Sequence, residues 1–579
     1  MFAKAVIYDA DTKKWICFEN PVEIIQTNKL SEVLKKLDCL QEKCFGDNYY
    51  AAGFISYDAS PAFDYALKVK HKENKNTPLL WFALFEKGQE IQLPKPEKTS
   101  TYFGRWRQTV SETEYRKAIG KVKKQIKVGN TYQVNYTMRQ CSEFSGDYWK
   151  FFCELAWSQR SQYAAFIESD DFVICSASPE LFFTYDRGTV TSKPMKGTAS
   201  RGFTYEEDIK KAEWLHHSEK NRAENVMIVD MIRNDLGKIS EPGTVNVSSL
   251  FEVEKYPTVW QMTSTVSSHT KRPFSDVMKA LFPCASITGA PKPYTMKIIS
   301  EVESTPRGLY TGTVGFIAPL EKSQFNVAIR TVFIDKATDV AEYGVGGGIV
   351  WDSTAEDEYE ECLIKTKFLS SRQPDFSILE SLLWSPDEGY FLLDYHLERM
   401  GKSAAYFNYK FDKEKIVSEL KKLSTPFERA SYKVRVMLDE SGNVTMESTA
   451  LGDFTQIMKA AISDKPIDVN TPFVYHKTTN RTIYDEIRKR FQEYDEVILW
   501  NQKNEVTEGI YSNVVIKIKD ELFTPPVNCG LLSGTFRQYL LDKGEIKEKV
   551  IKLKELATAD EIYMINSVRK WRRVFVKVQ

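Results

Sequence analysis

Lys196 and Glu180 are the residues whose types and spacing most clearly indicate chemistry. Lys196 lies between proline and glycine in the segment 193–198, sixteen positions after Glu180. A lysine is nucleophilic only when its ammonium is deprotonated, and a confined pocket lowers its pKa enough for that. A nearby carboxyl group can give a proton to a leaving group. The pair therefore predicts a nucleophile beside a proton donor; the alternative is a surface lysine in a turn, since proline and glycine punctuate turns.

Two glutamates in segments that are predicted to be helical are candidate metal ligands. Glu224 lies within residues 221–236, and Glu361 lies within residues 356–370. Mg²⁺ prefers a few carboxylates together with water and anionic substrate oxygens, so two glutamates from different helices are adequate ligands. As alternatives, Glu224 can be an exposed helix residue, and Glu361 can form an ordinary surface pair with Lys365, one turn further on.

Further polar residues and glycines could bind an anion. Gln133 follows the turn at 129–132, and Arg330 follows a strand-like run. The glycines at 346–348 would let backbone N–H groups approach a ligand, although they can instead form a bulge or a tight turn. Together with the lysine, the acid and the carboxylates, these residues describe a site for a small anionic molecule.

The elements that position these residues follow from the sequence pattern. Ser111 and Glu114 have the spacing of a capping box, which predicts a helix that ends near Lys127. Strands are predicted at 163–167, 172–175, 181–185, 345–351, 376–384, 432–438 and 444–448, and a further helix at 394–405. A polar, proline-containing break at 370–375 separates two parts. We expect two mixed α+β domains, residues 1–371 and 376–579.

Composition excludes several classes of protein. The 579 residues carry a formal net charge of zero, so nothing favours a nucleic acid or an anionic membrane as partner. The nine cysteines include no C-x-x-C pair, which fits reduced thiols and no zinc site. The start of the chain has no apolar leader, and no apolar run is long enough to span a membrane. We therefore expect a soluble, cytoplasmic protein.

Residues 45–370 resemble the chorismate-utilising enzyme family. The resemblance rests on ordered motifs at 129–137, 176–182, 194–202, 221–239, 286–292 (SITGAPK), 307–315 (RGLYTGTVG), 330 and 343–365. It implies an α+β fold in which two antiparallel sheets form a sandwich flanked by helices. Anthranilate synthases carry alanine where Lys196 stands, and isochorismate and salicylate synthases carry lysine where Gln133 stands. The combination of Gln133 and Lys196 resembles the aminodeoxychorismate synthase branch.

The resemblance implies a mechanism and a set of partners. Lys196 would attack ring carbon C2 of chorismate while Glu180 protonates the departing C4 hydroxyl, and ammonia would then add at C4. Mg²⁺ would be held by Glu224 and Glu361. The substrate-binding residues carried over are Gln133, Thr288, Arg330, Gly347, Gly348 and Lys365. The chain contains no Gly-x-Cys-x-Gly nucleophile turn of a glutaminase, so the ammonia would come from a separate glutamine amidotransferase subunit or from solution.

Residues 376–579 resemble the class IV aminotransferases, nearest to the aminodeoxychorismate lyase branch. The matching segments are 396–399, 474–481, 506–509, 513 and 529–537. The resemblance implies the cofactor pyridoxal 5'-phosphate (PLP), with Lys477 attached to it and moving protons. Glu508 would pair with the pyridinium nitrogen. The residues implied in phosphate binding are Arg399, Gly534, Thr535 and Phe536.

The whole chain would then be a bifunctional folate-pathway enzyme. It would make 4-amino-4-deoxychorismate and eliminate pyruvate from it to give 4-aminobenzoate. A homodimer formed through the C-terminal domain is a further expectation. Two alternatives stay open: the C-terminal domain is a noncatalytic interaction module, or the first domain is an anthranilate synthase component I.

Overall fold

The computed structural model describes residues 2–70, 77–96, 102–367, 369, 374–427, 429–452 and 457–576. The chain divides into two compact units. The first comprises Met1–Ser200 and Ala212–Gln373, and the second comprises Arg201–Lys211 and Pro374–Gln579. Of the predicted break at 370–375, residues 370–373 lie outside the described residues. The division at 371–376 remains a prediction, and it did not anticipate that the segment Arg201–Lys211 belongs to the second unit.

Two large antiparallel sheets form the first unit within its described residues. One sheet runs, in spatial order, through Gly289–Ala290, Gln133–Glu143, Val340–Ile349, Thr331–Asp335, Phe172–Ser178, Tyr163–Ser169, Ala3–Asp9, Lys14–Glu19 and Gln89–Ile91, with Arg107–Gln108 beside Gln133–Glu143. The other runs through Met195–Ser200, Val259–His269, Thr189–Lys193, Leu181–Asp186, Lys322–Val327, Thr313–Ala318, Tyr50–Ile55, Leu80–Phe85 and Glu23–Thr27, with Asn246–Lys255 beside Val259–His269.

The inner faces of the two sheets share one apolar core. Ile167 and Ile174 of the first sheet pack in the same cluster as Phe54 and Trp81 of the second. Side chains on a strand alternate between faces, so the opposite faces are left to pack against helices. Two further clusters combine sheet and helix residues in this way. The predicted sandwich of antiparallel sheets flanked by helices is therefore confirmed.

The first unit contains the three helices that the sequence predicted, at Glu112–Lys127, Glu219–Gly237 and Ala355–Lys367, together with others that it did not. Together these helices are Leu30–Gln41, Ser60–Phe63, Glu112–Lys127, Tyr148–Gln159, Glu219–Gly237, Phe274–Leu281, Lys292–Val302 and Ala355–Lys367, with short helical turns at Glu42–Gly46, Tyr57–Ala59 and Ala285–Ile287. The capping box is confirmed, because the Glu114 N–H donates to the Ser111 hydroxyl while the Glu114 carboxylate accepts from the Ser111 N–H. The helix Tyr205–His217 begins in the segment assigned to the second unit.

The described part of the second unit contains a four-stranded antiparallel sheet and a mixed eight-stranded sheet. The smaller sheet runs through Gly389–Tyr390, Ile378–Ser385, Tyr432–Leu438 and Val444–Ala450. The larger one runs through Val506–Gly509, Glu496–Trp500, Ile457–Ile462, Lys570–Val576, Glu561–Asn566, Asn513–Ile518, Glu521–Thr524 and Lys547–Glu548. Helices follow at Leu393–Phe407, Lys413–Ser424, Thr482–Arg490, Thr535–Asp542 and Leu553–Leu556, with short turns at Pro472–Val474 and Val527–Cys529.

Additional pairing of Val506–Gly509 with Asn513–Ile518 closes six strands of the larger sheet into a ring. The second unit is thus the mixed α+β structure that the sequence predicted. None of the helices in the described part of the chain has both the length and the apolar character needed to cross a membrane.

Candidate functional site

Lys196 is presented by an irregular edge strand. The strand Met195–Ser200 pairs with Val259–His269, and the register shifts between Met195 and Thr198, around Lys196 and Gly197. Gly197 has φ +102°, a conformation that glycine adopts without strain. Asn225, from the helix Glu219–Gly237, donates its side-chain N–H to the Lys196 carbonyl at 3.3 Å. The shift in register changes the direction of the Lys196 side chain, and the hydrogen bond from Asn225 holds the Lys196 backbone in place.

Gly348 lies next to the Lys196 amine. A Cβ atom on Gly348 would lie 2.8 Å from Lys196 Nζ and would also overlap the Gln133 amide. Gln133 is buried, and its Nε2 has no hydrogen-bond partner among the described residues. A buried amide without a partner is costly, so such a group is expected to meet a ligand. The glycine therefore leaves space for a ligand where Gln133 and Lys196 converge.

Glu180 is almost completely buried close to the same lysine. Its Oε1 accepts a hydrogen bond from the Met195 N–H at 3.4 Å. Burial raises the pKa of Glu180 to about 7, although Ser286, the Met195 N–H and the charge of Lys196 act in the opposite direction. A carboxyl group with such a pKa retains its proton near neutrality, which suits a general acid.

The raised pKa of Glu180 predicts how the rate of the expected amination depends on pH. Glu180 must carry a proton to act as an acid, so kcat/KM should fall as the pH rises through about 7, by about tenfold per pH unit well above it. The measurement is initial rate against pH with the concentration of free NH₃ held constant. In Glu180→Gln the falling limb should vanish, and the rate should drop by roughly 10²- to 10⁴-fold. A limb that persists in this variant would exclude Glu180 as its source.

Several charges surround the Lys196 amine. Burial lowers its pKa; Glu224, Glu180 and Glu358 raise it, and the positive charge of Lys365 lowers it further. The net direction is downward, which favours the neutral, nucleophilic amine. Lys196 is therefore a half-buried lysine among carboxylates, and the surface-turn alternative does not describe it.

The helix Ala355–Lys367 places three charged side chains beside the glycine-rich strand. Glu361 forms an ion pair with Lys365 at 2.6 Å, and Lys365 Nζ also donates to the Gly346 carbonyl at 2.7 Å. Glu358 was missed by the sequence analysis; its Oε2 lies 2.5 Å from where a Cβ on Gly347 would be. The signal was available, because residues three apart on a helix share a face.

Glu224 and Glu361 are the metal ligands that the sequence predicts, and Glu358 lies near Glu361. In the described part of the chain, these carboxylates do not form a group of three arranged to hold a metal ion, so their role stays a prediction. Burial raises the pKa of Glu358, and the charge of Glu361 raises it further. Such crowding of negative charge fits Mg²⁺ held by a few carboxylates together with oxygens of water and substrate.

Arg330 and Thr288 lie on irregular backbone. Arg330 has φ +49°, a strained conformation for a residue other than glycine, and its carbonyl accepts from the Ala177 N–H at 3.0 Å. Burial lowers the pKa of Arg330. The buried Thr288 hydroxyl donates to the Ala285 carbonyl at 3.1 Å, so towards a ligand it can act as an acceptor. Their roles in substrate binding stay predictions.

The second unit contains a cavity with a volume of about 270 Å³. Lys477, Glu508 and Arg399 line it together with Gly534 and Thr535. Burial lowers the pKa of Lys477 to about 7, and the charges of Arg399 and Arg481 add to the effect. The cavity thus brings together most of the predicted cofactor-binding residues around an amine that is readily deprotonated.

Glu508 is held by two donors. The Tyr484 hydroxyl donates to Oε1 at 2.6 Å, and the Leu532 N–H donates to Oε2 at 3.1 Å. Burial raises the pKa of Glu508 to about 7, opposed by these hydrogen bonds and by Arg481 and Lys477. A pyridinium N–H placed against this carboxylate would favour its ionised form. Tyr484 was not identified from the sequence.

Arg399 is one of the residues predicted to bind the cofactor phosphate. Its guanidinium contacts both oxygens of Glu380, at 2.9 and 2.6 Å, and donates to the Ser533 carbonyl at 2.9 Å. Gly534 precedes the helix Thr535–Asp542, and a Cβ there would overlap the Asn513 side chain. An arginine and a helix N-terminus form a suitable phosphate site.

The polar groups that line the cavity match those needed to bind a phosphorylated pyridine. It offers a buried carboxylate for a ring nitrogen, a deprotonatable lysine and an anion site. Phe536 differs from the other predicted residues: its side chain packs in an apolar cluster with Leu540 and Ile565 and does not line the cavity. A contribution from Phe536 is therefore limited to its backbone N–H.

Both units of the chain are similar to known protein families. Residues 3–371 match the sequence profile of the family described as chorismate binding enzyme, and residues 377–575 match that of amino-transferase class IV. Aminodeoxychorismate synthase component 1 of Klebsiella aerogenes is 34% identical over 314 residues, 52% of this chain and 68% of that protein. Anthranilate synthase component 1 of Saccharolobus solfataricus is 37% identical over 266 residues, 46% of this chain and 63% of that protein.

A solved structure has the same fold as the first unit. The crystal structure of anthranilate synthase component I from Streptococcus pneumoniae TIGR4 superposes with a TM-score of 0.54 at 24% identity, covering 64% of this chain and 92% of that chain. At this level of identity the likeness concerns the fold alone.

Proposed function

Because this chain belongs to the chorismate binding enzyme family over residues 3–371, we propose that its first unit aminates chorismate at C4 with ammonia. The product is 4-amino-4-deoxychorismate. The observation that carries the proposal is the pairing of Lys196, whose pKa is lowered by burial, with Glu180, whose pKa is raised by burial to about 7. The similarity to aminodeoxychorismate synthase component 1 supports it.

The reaction divides into two substitutions. The Lys196 nitrogen bonds to ring carbon C2, the two ring double bonds shift to C1=C6 and C4=C5, and the C4 hydroxyl leaves as water with the proton from Glu180. Ammonia then bonds to C4, both double bonds shift back, and Lys196 leaves as a neutral amine. Glu180 recovers its proton from the new C4 ammonium. The balance is chorismate plus ammonia giving aminodeoxychorismate plus water, and both protein groups return to their starting states.

The first unit also requires that the negative charges of the substrate be neutralised. Mg²⁺, when bound, supplies charge neutralisation at a substrate carboxylate without proton transfer. Glu224 and Glu361 would hold it, with Glu358 beside them, and Glu361 would exchange its ion pair with Lys365 for the metal. Lys365 and Arg330 are then positioned to bind carboxylate oxygens.

Removal of the metal gives a direct prediction. Chelation should reduce amination by roughly 10²-fold or more, because several kcal/mol of charge stabilisation are lost, and added Mg²⁺ should restore it. Glu224→Gln should raise the Mg²⁺ concentration needed for half-maximal rate, whereas Glu219→Gln, an exposed residue on the same helix, should not. Full activity after thorough chelation would contradict the metal assignment.

For the second unit we propose elimination of pyruvate from aminodeoxychorismate to give 4-aminobenzoate. PLP, when bound, supplies an electron sink for the electrons released at the substrate carbon. Lys477 removes the proton from C4 of the substrate, which its pKa of about 7 permits near neutrality. The C3–O bond breaks, the ring becomes aromatic, and Lys477 returns the proton to the enolpyruvate, which is released as pyruvate. Glu508 would hold the proton on the ring nitrogen of the cofactor, and Arg399 with the start of the helix Thr535–Asp542 would bind its phosphate.

The source of ammonia belongs to the same proposal. The similarity to proteins named component 1 supports a separate glutamine amidotransferase as the second component. Without it, ammonium salts at high concentration should sustain the reaction.

Product identification tests the proposed function. The purified chain is given chorismate, Mg²⁺ and ammonium, with and without PLP. We expect aminodeoxychorismate without PLP and 4-aminobenzoate plus pyruvate with it. Anthranilate as product would overturn the first assignment. Aminodeoxychorismate as the only product after cofactor loading would make the second unit a noncatalytic module.

A further inference from the structure

The cavity of the second unit carries more positive charge than a cofactor phosphate requires at one end. Its lining contains three carboxylates, on Asp495, Glu496 and Glu508. Among the described residues that line it are six Lys and Arg side chains: Arg399, Lys433, Lys477, Arg481, Arg569 and Arg572. Glu380 neutralises Arg399 from outside this lining, whereas Lys433 and Arg481 form no ion pair with a described residue, so the cavity suits a ligand that brings negative charge.

Two of the carboxylates are engaged with the protein backbone. Asp495 accepts a hydrogen bond from the Lys459 N–H at 2.8 Å, and Glu496 accepts from the Val497 and Tyr511 N–H groups at 3.2 and 3.3 Å. The third, on Glu508, is held by the hydrogen bonds described above. Their charges also act on other cations of the lining: those of Asp495 and Glu496 raise the pKa of Arg572, and that of Glu508 raises the pKa of Lys477.

Lys433 and Arg481 lack a carboxylate partner. Within the described part of the chain, no acidic side chain lies within ion-pair distance of either residue. Arg481 donates to the Ile510 carbonyl at 2.7 Å and packs over the ring of Tyr484. Both side chains are thus half-buried at the cavity wall without an ion-pair partner among the described residues, and a bound anion would supply one.

Neighbouring positive charges act on both Lys433 and Lys477. Burial lowers the pKa of Lys433, and the positive charges of Arg435, Arg569 and Arg481 lower it further. By contrast, the basic neighbours that lower the pKa of Lys477 are Arg399 and Arg481. Arg481 therefore acts on both Lys477, which belongs to the predicted cofactor site, and Lys433.

We propose that Lys433 and Arg481 bind the carboxylates of a substrate that carries two of them, at the end of the cavity away from the cofactor phosphate. This inference rests on the proposed function of the second unit and names the residues that select its substrate. The pair discriminates against amines with a single carboxylate, because one anion leaves a half-buried cation without a counter-charge. Aminodeoxychorismate, with a ring carboxylate and an enolpyruvyl carboxylate, satisfies both positions.

The smaller sheet offers a matched control. Arg435 lies two residues from Lys433 on the strand Tyr432–Leu438, so both side chains leave the same face. Arg435, however, pairs with Glu447 at 3.1 Å and does not line the cavity. Substitution of Lys433 and of Arg435 by glutamine removes one positive charge from the same face in each case.

The test uses the full chain loaded with PLP and supplied with aminodeoxychorismate. For Lys433→Gln we expect KM for pyruvate release to rise by roughly 10- to 100-fold, as for loss of a charged hydrogen bond, with a smaller change in kcat. Lys433→Arg should restore most of the affinity. Arg435→Gln should leave KM within about twofold, as for an exposed ion pair. Equal KM values for Lys433→Gln and wild type would overturn the proposal.

A binding measurement separates this proposal from the proposed function. The absorption band of the bound cofactor reports on the second unit alone. It should shift on titration with 3-(carboxymethoxy)benzoate, an unreactive dicarboxylate, at lower concentration than with 3-methoxybenzoate, and Lys433→Gln should remove the difference. Equal affinity of wild type for both probes would overturn the selection of dicarboxylates while leaving the lyase assignment intact. A wild-type chain that takes up no cofactor would overturn both.

Discussion

Lys196→Ala should abolish the formation of aminodeoxychorismate, with a loss of roughly 10³-fold or more, as expected when a covalent nucleophile is removed. The amine lies over Gly348 beside Glu180 and the Gln133 amide, so alanine would leave the general acid with no bond-forming partner. The measurement is the rate of aminodeoxychorismate formation from chorismate and ammonium at saturating Mg²⁺.

The control is a second lysine close to Lys196 in the sequence. Lys193 lies three residues earlier, and its amine pairs with Glu254. Lys193→Ala removes a lysine and a positive charge close by, and we expect it to keep most of the activity. Lys196→Arg keeps a long basic side chain without a usable nucleophile and should be as inactive as Lys196→Ala. Near wild-type turnover by either variant of Lys196 would exclude the covalent route.

Lys477→Ala should uncouple the two activities. Loss of the cavity amine should reduce 4-aminobenzoate formation by roughly 10³-fold or more, while Lys196 and Glu180 are unaltered. Aminodeoxychorismate should therefore accumulate at the wild-type rate of amination. The measurement is simultaneous quantification of aminodeoxychorismate, pyruvate and 4-aminobenzoate from chorismate.

A physical readout accompanies this prediction. Borohydride should fix PLP to the wild-type chain at Lys477 and leave Lys477→Ala unlabelled. Lys489→Ala serves as the control, because this exposed lysine lies on the helix Thr482–Arg490 and does not line the cavity. If Lys477→Ala makes 4-aminobenzoate as fast as wild type, the second unit does not act through this lysine.

Local signals predicted several elements of both units well. The capping box at Ser111 and Glu114 fixed the start of its helix within one residue, because both hydrogen bonds lie within four consecutive residues. The helices at Glu219–Gly237 and Ala355–Lys367 and the strand Tyr432–Leu438 also lie where periodicity predicted them. These features depend on sequence neighbours, so they can be recognised without a fold.

Other features of the sites depended on partners distant in the chain. Glu358 was missed because its importance comes from its position against Gly347, which requires the pairing of strand and helix. Lys433 and Arg481 are ordinary basic residues in the sequence. They acquire significance only because the fold of the second unit places both on one cavity. The segment Arg201–Lys211 likewise belongs to the second unit through contacts that local sequence does not encode.

The sequence by itself determined the families and the order of the motifs, and it predicted which residues are chemically reactive, since these depend on residue types at fixed spacing. The tertiary structure decided which charges act on each of these residues. Burial raises the pKa of Glu180 to about 7 and lowers that of Lys477 to about 7. The free energy of an ionised group depends on the solvent and charges around it, and those surroundings exist only after distant segments have packed together.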